Sequence, residues 1–250
     1  MATTPAFPDL LDLIEERSAA LRHAVATAPA PEATVPTCPD WRLPDLLAHL
    51  TVVHRFWTAA VIAGAEFVPA PPEPDGELSA AEALARSAEA TSALLAALRE
   101  AGPDRPCWTW WQETGAPNDS GAIARHQVQE SAVHAYDAQL AAGAPLPVPG
   151  AVALDGIDEF LTLSWGTAGA WPHPPARIRL HADEGPSWLV ELTADGAKPL
   201  DPDTDPVSLE LAAPASELLL TLHRRRPASA VRVTGDPAVL AVLLAWPRLG

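Results

Sequence analysis

The sequence predicts an α+β protein in which a helical amino-terminal half is followed by a smaller half of mixed strands and helices. Three features carry this prediction: four segments of helical periodicity before residue 143, a proline-rich break, and period-two apolar runs beyond it. The chain has 250 residues, 48% of them hydrophobic and few aromatic. That is enough to bury a sizeable core in one large domain or two modest ones.

The first helix runs from about Pro8 to Ala28, with Leu10, Leu11, Ile14, Ala19 and Leu21 as its apolar stripe. The second begins near Leu43, where Pro44 fits the first turn, and LLAHLTVVHRFWTAAVIAG carries it to a glycine stop at Gly64. After the loop VPAPPEPDGE, Ser79 caps a third helix with Glu82 as its capping-box partner, and Gly102 ends it. An irregular stretch with Trp108, Trp110 and Trp111 leads to a fourth helix, from about Gly121 to Ala142. Four amphipathic helices joined in this way predict an up-down-up-down bundle.

APLPVPG, between Ala144 and Gly150, has three prolines that can continue neither helix nor central strand, so it reads as a linker between domains at residues 1–145 and 150–250. Beyond it come a helix over Val152 to Trp165 and the runs ARIRLHAD, SWLVELTAD and VSLELAA, read as an antiparallel sheet. PASELLLTLHRRR reads as a helix, SAVRVTGD as a strand, and DPAVLAVLLAW as a last helix with Asp236 as its cap.

The formal charge is -16, from 32 acids against 16 bases, and Lys198 is the only lysine. Such a surface repels phosphate backbones and anionic lipids, which excludes nucleic acid as a partner. Arg224, Arg225 and Arg226 read as a solvated helix end. The two cysteines, Cys38 and Cys107, have no paired spacing, the start MATTPAFPDLLDLIEERS is acidic, and no run is read as long enough to span a bilayer. The expectation is a cytoplasmic protein, monomer or homodimer, with no membrane partner.

The chemistry concentrates in ARHQVQESAVHAYDAQ of the fourth helix, where His126, Glu130 and His134 recur every four residues along one face. His126 and His134 lie about 12 Å apart along such a helix, whereas zinc holds each nitrogen at about 2 Å. Glu130 can therefore share an ion with only one of them, and a third ligand must come from another helix. His49, inside the apolar run LLAHLTVV, supplies it. A histidine in such a run is ordinarily a hydrogen-bonded core residue, and it is the conjunction with Glu130 and one of the two fourth-helix histidines that points to a metal.

CPDWRLPDLLAHL followed far downstream by QESAVHAYDAQ resembles the mycothiol-dependent maleylpyruvate isomerase family, a branch of the DinB-like metal-binding bundles. Cys38, Pro39, Trp41, Asp45, Leu46, His49 and Leu50 stand in its first motif, and Glu130, His134 and Asp137 in its second. Gln129 departs from it, taking a position that is often histidine. ASELLLTLHRRRPASAVRVTGDPAVL is similar to the family's sterol-carrier-like second domain.

The resemblance implies His49, Glu130 and His134 as ligands of a divalent metal, zinc being the first choice, with mycothiol as thiol cofactor. The metal-activated thiol would attack a small electrophile, as an isomerase or S-transferase. The alternatives are a metal-containing binding or regulatory module without turnover and a metal-dependent hydrolase. His54 and Trp57 are candidate walls of a thiol pocket, and His126 and Arg232 candidate catalytic groups for an anionic substrate. Asp137 is a candidate either to hydrogen-bond a group on the second helix or to orient an imidazole, and Cys38 reads as packing at the helix entry.

Overall fold

The computed structural model describes residues 4–71 and 76–246. They form two compact units, one of Pro5–Gln112 with Pro117–Leu146, the other of Thr4, Glu113–Ala116 and the chain from Pro147 onward. The first is built on helices α1 (Phe7–Thr27), α2 (Leu43–Ala63), α3 (Ala80–Ala101) and α4 (Ser120–Ala141). A short hairpin, β1 (Thr34–Val35) paired with β2 (Cys38–Arg42), precedes α2 and has no counterpart in the sequence prediction.

The helices begin and end where local chemistry directs. Ser79 and Glu82 form the reciprocal capping box that opens α3, and Asp119 accepts from Ala122 N–H at 2.8 Å to open α4. Gly64 and Gly102 end α2 and α3 with φ of 67° and 69°, a region costly to residues with a Cβ. Leu21, Leu43, Leu46, Leu50, Leu94 and Leu98 are fully buried in the core. Burying each such side chain contributes about 1.5–3 kcal/mol.

The bundle is present, but its helices run up-down-down-up and do not alternate. Arg105, just beyond α3, donates to the Ile62 carbonyl at the end of α2, and Trp108 N–H donates to Gly64 O. The ends of α2 and α3 therefore lie together, and the two helices are parallel. Ser18 meets Ser131, while Leu21 and Ala24 share a cluster with Ala135 and Ala138, so α1 and α4 are also parallel. Residues 72–75 of the expected loop lie outside the described residues.

One sequence expectation is overturned. Leu43–Glu66, α2 with its terminal turn, is by length and composition alone long and apolar enough to cross a membrane. Here its apolar face packs inside the bundle, and it carries His49 and His54.

The second unit contains α5 (Gly150–Leu163), β3 (Ala176–Ala182), β4 (Ser187–Thr193), β5 (Gly196–Leu200), β6 (Leu209–Ala213), α6 (Ala215–Leu222), β7 (Arg232–Gly235) and α7 (Pro237–Ala245). Its strand order is β5-β4-β3-β6-β7. The sheet is mixed, because β6 lies parallel to β3 with Ile178 opposite Leu209, and every other pairing is antiparallel. Arg179, partly exposed on β3, contacts the chain that leads into β6. Its guanidinium donates to the carbonyls of Pro202 and Thr204 at 3.1 and 3.0 Å and so pins the crossing segment, 201–208, that delivers β6. Asp236 caps α7 by accepting from Ala238 N–H.

Candidate metal centre

Antiparallel packing of α2 on α4 brings His49 opposite Glu130 although 81 residues separate them. His49 Nε2 lies 3.0 Å from Glu130 Oε1, and His134 Nε2, one turn further along α4, lies 3.4 Å from the same oxygen. One ligand atom from each of the three residues lies within 4.8 Å of the other two, the only such cluster of potential metal ligands among the described residues. The side chain of His49 is 31% exposed and that of Glu130 23%, against 8% for His134, so the cluster opens to solvent on one side.

The far side of His134 is fixed. Its Nδ1 lies 2.9 Å from Oδ2 of the fully buried Asp137, and Thr37 Oγ1 donates to the other carboxylate oxygen at 2.6 Å. Burial alone would lower the His134 pKa, but the charge of Glu130 and hydrogen bonds to Asp137 and Glu130 outweigh it and raise it to about 9. Burial would likewise raise the Glu130 carboxyl, yet the charge of His134 and hydrogen bonds from both imidazoles hold it well below the usual carboxylate range.

His54 is fully buried and stands in an interior hydrogen-bond chain. Thr91 Oγ1 donates to Ser87 O, so His54 Nδ1–H donates to Thr91 at 3.1 Å, and Ser131 Oγ lies 3.4 Å from His54 Nε2. Arg22 donates to the same Thr91 hydroxyl at 2.9 Å. Burial lowers the His54 pKa to about 4, so the ring is neutral. Sequence reasoning missed Thr91, Ser131, Ser18 and Arg22 as members of this chain, because isolated hydroxyls carry no motif.

His126 is not one of the three clustered residues. Its ring lies among Trp57, Trp110 and Trp111, at centroid distances of 5.7, 5.6 and 5.1 Å. Trp57 is buried in this aromatic group. Arg232 belongs to the second unit, on exposed β7, with its guanidinium paired to Asp183. Arg226 pairs with Glu217 at 2.8 Å. Cys38 packs against the bundle core, and burial raises the Cys107 thiol pKa, which disfavours a thiolate there. Thr37 reaches His134 through Asp137, and Trp41 lies against both imidazoles. Only Trp41 had a sequence signal, its place in the first motif.

Fold and cluster together define a class: a helical bundle with a His, His, Glu donor set, joined to an α+β unit. Residues 11–139 match the model of the mycothiol maleylpyruvate isomerase N-terminal domain, and residues 151–241 that of the family's C-terminal domain. The chain belongs to the mycothiol maleylpyruvate isomerase family. It resembles the crystal structures of a mycothiol-dependent maleylpyruvate isomerase and of a histidine-to-alanine variant of that enzyme, each with a TM-score of 0.62, at 12% and 13% identity. Both comparisons cover 93% of this chain and 95% of the other. At that identity the likeness speaks for the fold. No curated protein matches the chain.

Proposed function

We propose that the protein is a thiol-dependent isomerase whose first unit holds a divalent ion on His49, Glu130 and His134, with mycothiol as the thiol. The observation that carries this reading is the donor set itself: two imidazoles and a carboxylate within 4.8 Å, open on one side. Three protein ligands with a free position are the pattern of catalytic zinc sites, whereas structural sites close with four. Family membership supports the thiol and a small conjugated electrophile as substrate.

An ion and a thiol bound there would supply a sulfur nucleophile at neutral pH, the chemistry that a reversible addition and cis–trans isomerisation of a carbon–carbon double bond requires. The chain's own residues prepare the place. Asp137 holds the far nitrogen of His134, so that its Nε2 faces Glu130, and Glu130 remains ionised between the imidazoles. Neutral His54 adds no positive charge beneath the site.

The test is elemental analysis of the purified protein, calorimetric titration of the metal-loaded form with mycothiol, and an ultraviolet assay of maleylpyruvate isomerisation. The reading predicts about one metal per chain, lost in His49→Ala, saturable thiol binding, and turnover that requires the thiol. Metal without thiol binding would point to the hydrolase or the binding module, a stable thiol adduct to an S-transferase, and no metal would overturn the reading.

A further inference from the structure

We infer that the β1–β2 hairpin, and not the bundle alone, sets the orientation of both imidazoles in the cluster; this deepens the metal reading above and rests on it. Two contacts from one short segment carry the inference. Thr37, in the turn between β1 and β2, donates to Asp137 Oδ1 at 2.6 Å, while Asp137 Oδ2 meets His134 Nδ1 at 2.9 Å. Trp41, on β2, sets its indole against His49 with centroids 4.7 Å apart and against His134 at 6.1 Å. The two imidazoles meet nearly edge to face, at 78°.

Each contact removes one freedom that the helices leave open. A carboxylate on a helix can rotate about its last torsion, which is broad and roughly two-fold. A hydrogen bond to each of its oxygens stops that rotation, so the plane of Asp137 fixes the plane of the His134 ring. Among the described residues no carboxylate meets the other nitrogen of His49, and the indole of Trp41, tilted 42° to its ring, limits it instead. Both Nε2 atoms then turn toward the same Glu130 oxygen.

The hairpin is rigid enough for this task. Val35 is fully buried in the core among Leu21, Leu43, Leu46 and Leu47, Leu43 N–H donates to Ala33 O at 3.1 Å, and Thr34 pairs with Arg42. Thr37 and Trp41 are therefore positioning residues that act through Asp137 and the imidazoles.

The experiment is titration of metal-free full-length protein with cobalt(II), followed by its visible absorption, and with zinc by calorimetry. The variants are Thr37→Val, Thr37→Ser, Trp41→Leu and Trp41→Phe, and circular dichroism verifies that each is folded. Thr37→Val keeps the shape and removes the donor, so it weakens metal binding by about tenfold or more and alters the cobalt spectrum, while Thr37→Ser restores both. Trp41→Leu behaves like Thr37→Val, and Trp41→Phe retains most of the affinity. Wild-type affinity and spectrum in both Thr37→Val and Trp41→Leu would overturn the inference and leave the metal reading intact. A wild-type protein that takes up neither ion would overturn both. Should Thr37→Val not fold, the contrast between Trp41→Leu and Trp41→Phe decides alone.

Discussion

Raising the pH should tighten metal binding and, at the same time, weaken the metal-free fold. The perturbation acts on His134, whose pKa stands at about 9 in the metal-free protein against an ordinary value of 6.5. A metal can use Nε2 only after that proton has left. At pH 7 an imidazole with a pKa of about 9 is deprotonated in about one molecule in a hundred, so apparent affinity lies about 100-fold below its limit and rises about tenfold per pH unit up to pH 9. The stability of the metal-free fold follows the opposite course. A raised pKa means that the folded state holds the proton more tightly, so this contribution is fully present below pH 6.5 and is lost as pH rises through 9. The gap between the two pKa values corresponds to about 3 kcal/mol. Competition with a chromophoric chelator between pH 6 and 10, and urea unfolding of the metal-free protein over the same range, measure the two trends. Zinc affinity that stays flat from pH 7 to 9, with no proton released on binding, would refute the reasoning.

Asp137→Asn keeps the side chain's shape but replaces one carboxylate oxygen by an amide nitrogen, and metal affinity should fall about 10–100-fold, readable by the same chelator competition. Leu50→Ala, at a fully buried site of α2, should cost about 2–5 kcal/mol and lower the Tm of metal-free protein, checked by calorimetry. Gly235→Ala places a methyl group at φ of 112°, about 2.3 Å from Ser208 O. It should destabilise the second unit by on the order of 1–3 kcal/mol or more from backbone strain alone, seen as faster proteolysis of the chain beyond Pro147.

Much of the helical fold is legible in the sequence because its signals are local. Ser79 with Glu82, the glycines at 64 and 102, and Asp236 before Pro237 mark helix ends through contacts within a few residues, and all appear in the structure. The grouping of His49 with Glu130 and His134 is legible for a different reason: helical spacing set which residues share a face, chemistry required a third donor, and the resemblance to the family's second motif chose His134 over His126. Direction is not legible. Periodicity reads the same whether α3 runs up or down, and only contacts such as Arg105 to Ile62 decide it. A two-residue strand such as β1 has no period to detect, which hid the hairpin and the role of Thr37. The parallel pairing of β6 with β3 joins residues such as Ile178 and Leu209 that lie far apart in the chain, and leaves no local pattern in the sequence.

The 81-residue separation of His49 from Glu130 gives the cluster a second character. An ion held as proposed by α2 and α4 would join two segments of the folded chain that flank the whole of α3. Binding to the native state alone then stabilises it by mass action, about 2.7 kcal/mol at a free metal concentration one hundred times the Kd. Excess chelator should therefore lower the melting temperature of a metal-loaded protein while leaving the sequence of its helices untouched, and the site would report on closure of the bundle as a whole.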